Sequence, residues 1–538
     1  MINTSADILI VGSGIAGALL AYELTKKNLK VTVLEAGPRV NRAEATVRFQ
    51  NASIKTPESP YPLSTFSPHP LADQPASFYI QKGPDIFNAT YLKQVGGTTW
   101  HWLGTAVRLV PDDFVLNSKF KVGVDWPISY ADLEPWYGKA EQALGVSGDN
   151  ADDLGSPRST PYPLPEIPQS YLDSVWKKAL ADSPYHVSAT PQARLSKAIG
   201  HRPACCGAAS CIPICPVQAK YDATVHIDLA EKQGAIIYSE AVAVSIEIDS
   251  DQHARAVHVK RPDGSSARIE ARVIVLAANA METPRLLLSS ATEKAPNGVA
   301  NHNDQVGRYL MDHPVQLSWA LSKNPVWPYR GPLSTSGIET LRRAQWRTTS
   351  PALRIEIVND GWSWPVGAPI ETARRFAKQG LRGTKLHHAI QEEMARHIAV
   401  ATLIEQLPLS ENRVTLDTTL CDLSGLRRPV IHYRLDDYVH QGLQKSRRIH
   451  EDIFQRLEAS HIQHATKSKS ALHILGTTRM GQDPKTSVVD KNLRTHSYRN
   501  LFVVGGGVFP TAGAGNPTLT IAALALRAVS VIAMAAQK

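Results

Sequence analysis

A glycine-rich turn between two apolar runs constrains the fold of this chain more than any other feature. Gly12, Gly14 and Gly17 form a G-x-G-x-x-G motif directly after the run ADILIVG, and Glu35 closes the next run, KVTVLEAG. In a βαβ unit the first glycine permits a tight turn, the second lets a pyrophosphate approach the backbone, and the third lets helix and strand pack closely. The helix N-terminus offers free N–H groups to the phosphates, and the acid accepts a hydrogen bond from a ribose hydroxyl. The motif therefore predicts a Rossmann-like domain that binds FAD or NAD, the alternative being a glycine-rich turn without a ligand.

The alternation of apolar strands and helices returns in later parts of the chain. The segment VHIDLAEKQG predicts a helix, AIIYSEAVAVSIEID, ARAVHVK and ARVIVLAANA predict strands, and NLFVVGGG with the apolar C-terminal run predicts a last strand and helix. The segments between them are proline-rich or less regular, which indicates a second domain inserted between pieces of the first. We therefore predict an α/β fold with a discontinuous dinucleotide-binding domain and an inserted α+β substrate-binding domain. The first is expected to comprise 1–40, 90–110, 200–314 and 466–538, and the second 41–89, 111–199 and 315–465.

Composition disfavours several classes of protein. Hydrophobic residues make up 43% and charged residues 20% of the 538 residues, which is ordinary for a globular chain and argues against disorder. The net charge of +9 comes without a dense Lys/Arg run, so we expect no nucleic-acid partner. A basic face toward anionic lipid or an acidic redox protein is the alternative to a solvated surface. We expect no transmembrane helix, because Arg527 interrupts the apolar C-terminal run, and no export signal, because MINTSADILIVGSG leads straight into a strand.

Four of the five cysteines, Cys205, Cys206, Cys211 and Cys215, stand in the segment PACCGAASCIPICPVQ at 203–218. Their crowding disfavours disulfides, and structural zinc commonly uses C-x2-C pairs separated by a longer loop, which this segment lacks. The spacing C-x3-C-P at its end matches the end of the bacterial ferredoxin motif. The segment therefore predicts an iron–sulfur cluster.

Six motifs in a fixed order identify a family resemblance: KQVGGTTWHW, LAANAMETPRLLL, VGRYLMDHP, HILGTTRMGQDPKTSVVD, LFVVGGGVFPT and GNPTLTIAALALR. Together they resemble the glucose–methanol–choline (GMC) family of FAD oxidoreductases, from residue 6 to the C-terminus, and the resemblance weakens across 315–465. The cysteine segment narrows the resemblance to the catalytic subunits of bacterial cytochrome c-linked sugar dehydrogenases, which act on glucose, fructose, gluconate or 2-ketogluconate.

The resemblance implies an FAD-dependent enzyme that oxidises a sugar or sugar acid by hydride transfer. It implies that electrons leave through a 3Fe-4S cluster, held by Cys205, Cys211 and Cys215 with Cys206 as the spare thiol, to a multihaem cytochrome c subunit or quinone. A small export or chaperone subunit would carry the folded chain to the periplasmic face of the inner membrane, with membrane association through partners only. A cytoplasmic location is the alternative.

The resemblance also assigns the site residues. His473 is expected to be the base that takes the hydroxyl proton, and Asn516 to hydrogen-bond the same oxygen. His101 is expected either to carry a covalent bond to the flavin or to pack against it, and His313 is expected to be structural. Many family members have an acid where Gly505, Gly506 and Gly507 stand. The expected cofactor contacts are Gly12, Gly14, Ile15, Ala16, Gly17, Glu35, Ala36, Gly96, Gly97, Thr98, His101, Trp102, Val242, Ala278, Gly506, Asn516, Pro517 and Thr518.

Two other functions compete with this hypothesis. A flavin oxidase would reduce O2 and would need no route for single electrons, which the cysteine segment argues against. A non-redox lyase or scaffold would use FAD for structure alone. The identity of the sugar does not follow from the sequence, and Trp362 and Trp364 are interpreted either as sugar-stacking residues of the 315–465 segment or as core residues, the core being the commoner role.

Overall fold

The computed structural model describes residues 5–71, 74, 77–88 and 90–537. Within them the chain forms three β-sheets with helices packed around them. The strands are β1 Ser5–Val11, β2 Val31–Leu34, β3 Ile80–Lys82, β4 Val187–Ala189, β5 Ile236–Tyr238, β6 Val242–Ile248, β7 Ala254–Lys260, β8 Ser266–Leu276, β9 Pro314–Leu321, β10 Ser336–Ile338, β11 Leu353–Val358, β12 His397–Ile404, β13 Arg413–Cys421, β14 Arg427–His432, β15 Ser460–His464, β16 Lys469–Ser470 and β17 Leu501–Val503. The helices are α1 Ile15–Thr25, α2 Arg42–Asn51, α3 Leu116–Phe120, α4 Tyr130–Leu144, α5 Tyr171–Ala179, α6 Thr224–Lys232, α7 Asn279–Ser289, α8 Ser363–Val366, α9 Ile370–Lys378, α10 Gly383–Met394, α11 Asp437–Arg456 and α12 Thr518–Gln537.

The first sheet has the strand order β5-β2-β1-β8-β7-β6, with β17 beside β8. Strand β1 runs parallel to both β2 and β8, and β17 is parallel to the carboxyl end of β8. These four strands are buried on both faces, as expected for a parallel sheet covered by helices. The arrangement is a Rossmann-like sheet assembled from the two ends and the middle of the chain, and the predicted α/β class is confirmed.

One strand prediction was wrong. The run AIIYSEAVAVSIEID, expected to form a single strand, forms β5 and β6 at opposite edges of the first sheet. Glu240 lies between them with a φ of 53°, a left-handed conformation that a strand does not continue through. Strand β5 pairs parallel to β2, whereas β6 pairs antiparallel to β7. A backbone turn within an apolar run leaves the side-chain pattern unchanged, so periodicity alone does not locate it.

The apolar C-terminal run forms helix α12, which packs against α1 and α4. Contrary to the expectation from Arg527, this helix is long and apolar enough, by length and composition, to cross a membrane. However, 67% of its most apolar window is buried inside the protein. Arg527 lies in the middle of the helix and is partly buried, and its Nη1 donates to the carbonyl oxygen of Lys491 at 2.6 Å. The helix therefore contributes to the core of the first domain.

The second sheet is antiparallel, with the order β15-β9-β12-β11-β10-β4 and with β16 beside β9. Helix α11 packs on this sheet, and a third, small sheet joins β13, β14 and β3. The pairing of β16 with the start of β9 places residue 470 opposite residue 314. The two flanking segments, 312–313 and 471–473, consequently lie side by side.

Candidate active site

A cavity of about 1490 Å³ is lined by residues that follow β1, β2 and β8 and by residues of β9, β11 and β12. It brings together most of the residues that the sequence analysis selected. The selected residues in its wall are Gly12, Gly14, Ile15, Ala16, Glu35, Ala36, Gly97, Thr98, His101, Trp102, Val242, Ala278, His473, Gly506, Asn516, Pro517 and Thr518. Gly17 and Gly96 do not line the cavity, and their lack of a side chain allows close packing behind its wall.

The three glycines of the first turn have different physical roles. A methyl group on Gly12, whose φ is +102°, would lie 2.5 Å from the carbonyl oxygen of Ala277. A methyl group on Gly17 would lie 1.9 Å from the carbonyl oxygen of Gly12, so this glycine allows helix α1 to approach the strand. At Gly14 a methyl group would meet nothing within 4 Å. The space in front of Gly14 is the place where a phosphate group can approach the backbone.

The carboxylate of Glu35 is held at the end of β2 by three donors. Its Oε2 accepts from the backbone N–H of Ser13 at 3.1 Å and from the Ser13 hydroxyl at 2.6 Å, and its Oε1 accepts from the Gly37 N–H at 3.0 Å. Burial raises the pKa of Glu35, while these donors lower it. The side chain is thereby fixed in the cavity wall, where a ribose hydroxyl would be recognised.

Several buried polar atoms of the wall have no hydrogen-bond partner within the described residues. They are Oγ1 of Thr90, Nδ1 of His101 and Oγ1 of Thr105. Buried polar groups are normally paired, so these atoms need a partner that the chain itself does not supply. Together with the space at Gly14 and the acid at Glu35, they fit a large polar cofactor such as FAD.

Replacement of Gly14 by valine tests this fit. Its φ of −66° and ψ of −170° suit any L-residue, so we expect Gly14→Val to fold but to retain less than about a tenth of the bound FAD, because the side chain occupies the phosphate space. The measurements are flavin content per chain and the melting temperature against wild-type apoprotein. Gly17→Ala is the contrasting variant, for which we expect loss of soluble protein. Full flavin content in Gly14→Val would contradict this assignment.

His473 is fixed by contacts to two consecutive residues, Asp312 and His313. Its backbone N–H donates to Oδ1 of Asp312 at 3.0 Å, and its Nδ1 lies 2.9 Å from Nδ1 of His313. The backbone N–H of His313 also donates to Oδ1 of Asp312, at 2.7 Å. Burial raises the pKa of Asp312 to about 7 and lowers the pKa of His473 well below 6.5. His313, expected to be structural, is therefore in direct contact with the candidate base.

The neighbours of His313 determine which nitrogen of His473 carries the proton. Nε2 of His313 lies 3.1 Å from the carbonyl oxygen of Gly513, which can only accept, so His313 is protonated at Nε2. Burial lowers the pKa of His313 to about 4, so the neutral ring has no second proton and its Nδ1 accepts. His473 must then donate from Nδ1, which leaves its Nε2 unprotonated. That nitrogen is the basic atom of the site.

The variant His313→Ala tests this arrangement. We expect the reduction of bound FAD by substrate to slow by roughly 10- to 100-fold, because His473 loses the contact that fixes both its tautomer and the orientation of its ring. Stopped-flow spectroscopy under anaerobic conditions measures this rate. The double variant His313→Ala/His473→Ala should be no slower than His473→Ala alone, since His313 acts through His473. Additive losses would show that His313 acts by another route.

Asn516 is oriented by an ion pair on β11. Nη1 of Arg354 donates to Oδ1 of Asn516 at 3.1 Å, and Nδ2 of Asn516 donates to Oε1 of Glu356 at 3.4 Å. Arg354 also forms an ion pair with Glu356 itself. Because the amide oxygen is bound by the guanidinium group, the amide nitrogen keeps a hydrogen that can be donated to a substrate oxygen.

The cysteine segment lies against the cavity without entering it. Ala209, Ile212 and Pro213 line the cavity, whereas its four cysteines do not. Within the described residues no group of three or more His, Cys, Asp or Glu side chains is assembled to hold a metal ion. The three cysteines predicted to ligate a cluster are therefore not assembled around a common metal position in this structure. Cys211 is buried, Cys205 and Cys215 are partly buried, and Cys206 is exposed.

The two tryptophans of the 315–465 segment have separate roles. Trp362 is buried, stacks on His397 with ring centroids 4.0 Å apart, and donates from Nε1 to the carbonyl oxygen of Ile398 at 3.2 Å. Trp364 is 39% exposed and lines the cavity. Trp362 is thus a core residue, and only Trp364 can contact a substrate.

In the turn after β17, a side chain would have no room at two of the three glycine positions. A methyl group on Gly506 would lie 2.6 Å from the carbonyl oxygen of Ile474, and one on Gly507 would lie 2.5 Å from Oγ1 of Thr478. A cofactor that lies against this turn would therefore meet only backbone groups or intervening water.

Sequence reasoning missed Asp312, Arg354 and Glu356 and left His313 out of the site. A signal for two of them was present, because LRIEIV is a buried strand in which Arg354 and Glu356 stand at i and i+2 and so point to the same face. Charged residues in a buried strand need partners or a function. The register of β9 with β16, which brings Asp312 and His313 to His473, has no local signal.

The chain belongs to the GMC oxidoreductase family, whose models match residues 168–315 and 408–525. A model for FAD-dependent oxidoreductases matches residues 7–52. The protein is therefore an FAD-dependent oxidoreductase that acts on CH–OH groups, and the predicted family, fold class and enzyme class are confirmed.

Individual relatives place the chain more closely within this family. It is 36% identical to the fructose dehydrogenase large subunit of Gluconobacter japonicus, over 98% of both chains. It is 24% identical to the gluconate 2-dehydrogenase flavoprotein of Pantoea cypripedii, over 96% of this chain and 92% of that one. A crystal structure of formate oxidase superposes with a TM-score of 0.67 at 15% identity, over 99% of this chain and 98% of the other, which shows a shared fold.

Proposed function

We propose that this protein is the catalytic subunit of a sugar dehydrogenase. The observation that carries the proposal is the contact of His473 with His313, with both His473 and Asn516 in the wall of the cavity. The 36% identity to a fructose dehydrogenase large subunit over nearly the whole chain supports a sugar as substrate. When bound, FAD supplies the acceptor for the hydride that leaves the CH–OH carbon.

The residues of the chain handle the proton and the oxygen of the substrate. Nε2 of His473 takes the hydroxyl proton, and the contact of its Nδ1 with His313 keeps this nitrogen free for that purpose. Nδ2 of Asn516 donates to the same oxygen as negative charge develops on it. Burial keeps both imidazoles neutral at pH 7, because it lowers the pKa of each of them.

We further propose that Cys205, Cys211 and Cys215 hold a 3Fe-4S cluster, which when bound supplies single-electron transfer. The N–H of Gly207 donates to Sγ of Cys205 at 3.4 Å, and the N–H of Lys220 donates to Sγ of Cys215 at 3.5 Å, as is typical of thiolates that ligate iron. Burial raises the pKa of Cys205, while the N–H of Gly207 and the charge of Arg194 lower it and so favour the thiolate that iron requires.

The cysteine segment is joined to the cavity by Lys220. Its Nζ donates to the carbonyl oxygens of Trp100 and Trp102, at 2.8 and 2.6 Å, on either side of His101. A cluster in this segment would thus lie beside the turn that faces the cofactor. We propose that His101 contacts the flavin directly; flavin colour retained in the protein after acid precipitation would identify a covalent bond.

The partners and the location are proposals that rest on the resemblance. A multihaem cytochrome c subunit or a quinone would accept the electrons, and a small export subunit would carry the folded chain to the periplasmic face of the inner membrane. Expression of this chain alone, followed by cell fractionation, tests the second point. Periplasmic protein in the absence of any partner would contradict it.

An anaerobic absorbance spectrum tests the function itself. Bleaching of the flavin by a sugar is the expected result, together with a broad iron–sulfur absorbance that remains after bleaching. Flavin that no sugar or sugar acid reduces would leave the lyase or scaffold alternative. Rapid reoxidation by O2 in a protein without iron would favour the oxidase.

A further inference from the structure

Glu356 has one carboxylate oxygen that the chain leaves available to the cavity. Its Oε1 is bound by Arg354 and by the amide of Asn516, while its Oε2 has no hydrogen-bond partner within the described residues. The residue lines the cavity and its side chain is 12% exposed. A carboxylate oxygen in this setting is an acceptor for a donor on the substrate.

The positive charge next to Glu356 is neutralised within the protein. The side chain of Arg354 is fully buried between Glu339, which accepts from its Nε at 2.8 Å, and Glu356. Its Nη2 faces the hydroxyl of Thr190 at 3.3 Å. Glu339 also pairs with Arg342, whose Nε lies 2.7 Å from its Oε2, so two carboxylates balance two guanidinium groups and no positive charge is left over. No part of Arg354 is therefore available to bind an anionic group.

The other charged residues of the cavity wall provide no buried, unpaired cation. Besides Glu35 and Glu356, the wall contains Lys55, Lys93, Glu282, Asp360, Glu371, Arg374 and Lys469. Lys93 pairs with Glu282 and Arg374 pairs with Glu371, while Lys55 and Lys469 are exposed to solvent, which screens their charge. Oδ1 of Asp360 is buried without a partner within the described residues. A substrate carboxylate entering this wall would meet the free Oε2 of Glu356 and no buried, unpaired cation.

We propose that Glu356 determines the substrate class of this site, so that it accepts neutral polyhydroxy sugars and rejects sugar acids. This inference rests on the proposed function. The Oε2 atom accepts a hydrogen bond from a second hydroxyl of the sugar, while His473 and Asn516 act on the first. A hydroxyl can donate to a carboxylate, whereas a carboxylate of the substrate can only accept and is repelled.

Steady-state kinetics of the holoenzyme with an artificial acceptor test this proposal, with D-fructose, D-glucose and D-gluconate as substrates. In the wild type we expect kcat/KM for the better neutral sugar to exceed that for gluconate by about 100-fold or more. In Glu356→Gln we expect kcat/KM for this sugar to fall about 10- to 100-fold, because a hydrogen bond to a charged acceptor is lost. The ratio of kcat/KM for the neutral sugar to kcat/KM for gluconate should fall at least about tenfold.

Two further variants test whether the effect comes from the charge at position 356 rather than from altered folding. Glu356→Asp keeps the charge, so it should keep the rejection of gluconate even if KM rises. Glu411→Gln removes an exposed carboxylate that pairs with Arg434 outside the cavity lining, and it should leave the ratio within about twofold. Flavin content establishes that each variant is folded.

The outcomes distinguish this inference from the proposed function. Bleaching of the flavin by a neutral sugar in wild type, with gluconate a poor substrate only while residue 356 is charged, supports both. Preference of the wild type for gluconate, or an unchanged ratio in Glu356→Gln, overturns the role of Glu356 and leaves the sugar dehydrogenase intact. Failure of every sugar and sugar acid to reduce the flavin overturns both.

Discussion

Replacement of His473 by alanine is expected to slow the reduction of bound FAD by sugar by roughly 10²- to 10⁴-fold, because the hydroxyl proton loses its acceptor. Flavin content should stay at the wild-type level, since the phosphate space at Gly14 and the acid at Glu35 are untouched. Anaerobic stopped-flow absorbance of the flavin measures the rate directly. A titration of this rate near pH 7 in wild type would report Asp312, whose pKa burial raises to about 7, because burial holds the pKa of His473 well below 6.5 and that base is lost only in acid.

His450 offers a matched control for this variant. It is also a buried histidine, held by the hydroxyls of Ser318 and Thr402 at 2.7 and 2.6 Å, and it does not line the cavity. His450→Ala should lower the melting temperature while leaving the reduction rate per bound flavin unchanged. A His473 variant with full flavin content and a wild-type rate would remove this residue from the mechanism.

Replacement of Cys211 by serine is expected to separate substrate oxidation from electron exit. The thiol is buried, and serine cannot replace it as a soft ligand to iron, so we expect loss of the cluster signal in electron paramagnetic resonance and of chemically determined iron. Reduction of the flavin by sugar should persist, because the cysteine lies outside the cavity lining. Turnover with a cytochrome c acceptor should fall by about 100-fold or more, since the one-electron route is removed.

Two other cysteines serve as controls for Cys211. Cys206 and Cys421 are exposed, and their replacement by serine should keep the cluster signal and most of the turnover. Wild-type reduction of cytochrome by Cys211→Ser would refute the electron-exit role of the segment. Loss of both flavin and soluble protein would instead show that the cysteine is chiefly structural.

The first βαβ unit illustrates what local sequence predicts well. Strand, turn, helix and second strand are contiguous, and the glycines are needed wherever a methyl group would collide, as at Gly12 and Gly17. Strand β2 accordingly lies within its predicted run, and β1 begins one residue before its own, at Ser5. The splitting of β5 from β6 was missed because the partner of each strand is far away in the sequence. The prediction for the C-terminal run relied on one charged residue, Arg527. The packing that buries helix α12 involves distant segments of the chain, so no local pattern indicates it.

The sequence by itself determined the dinucleotide-binding turn, through the steric requirement at its glycines, and it determined the family, FAD and the candidate base and amide through the resemblance of six motifs. The tertiary structure alone decided how these groups are made to work. His313 meets His473 across 160 positions of the chain, and Arg354 meets Asn516 across 162. Such contacts arise from strand register and sheet packing, which depend on the free energy of the whole fold rather than on any local pattern. The protonation of the base, the orientation of the amide and the charge of the substrate wall follow from those contacts.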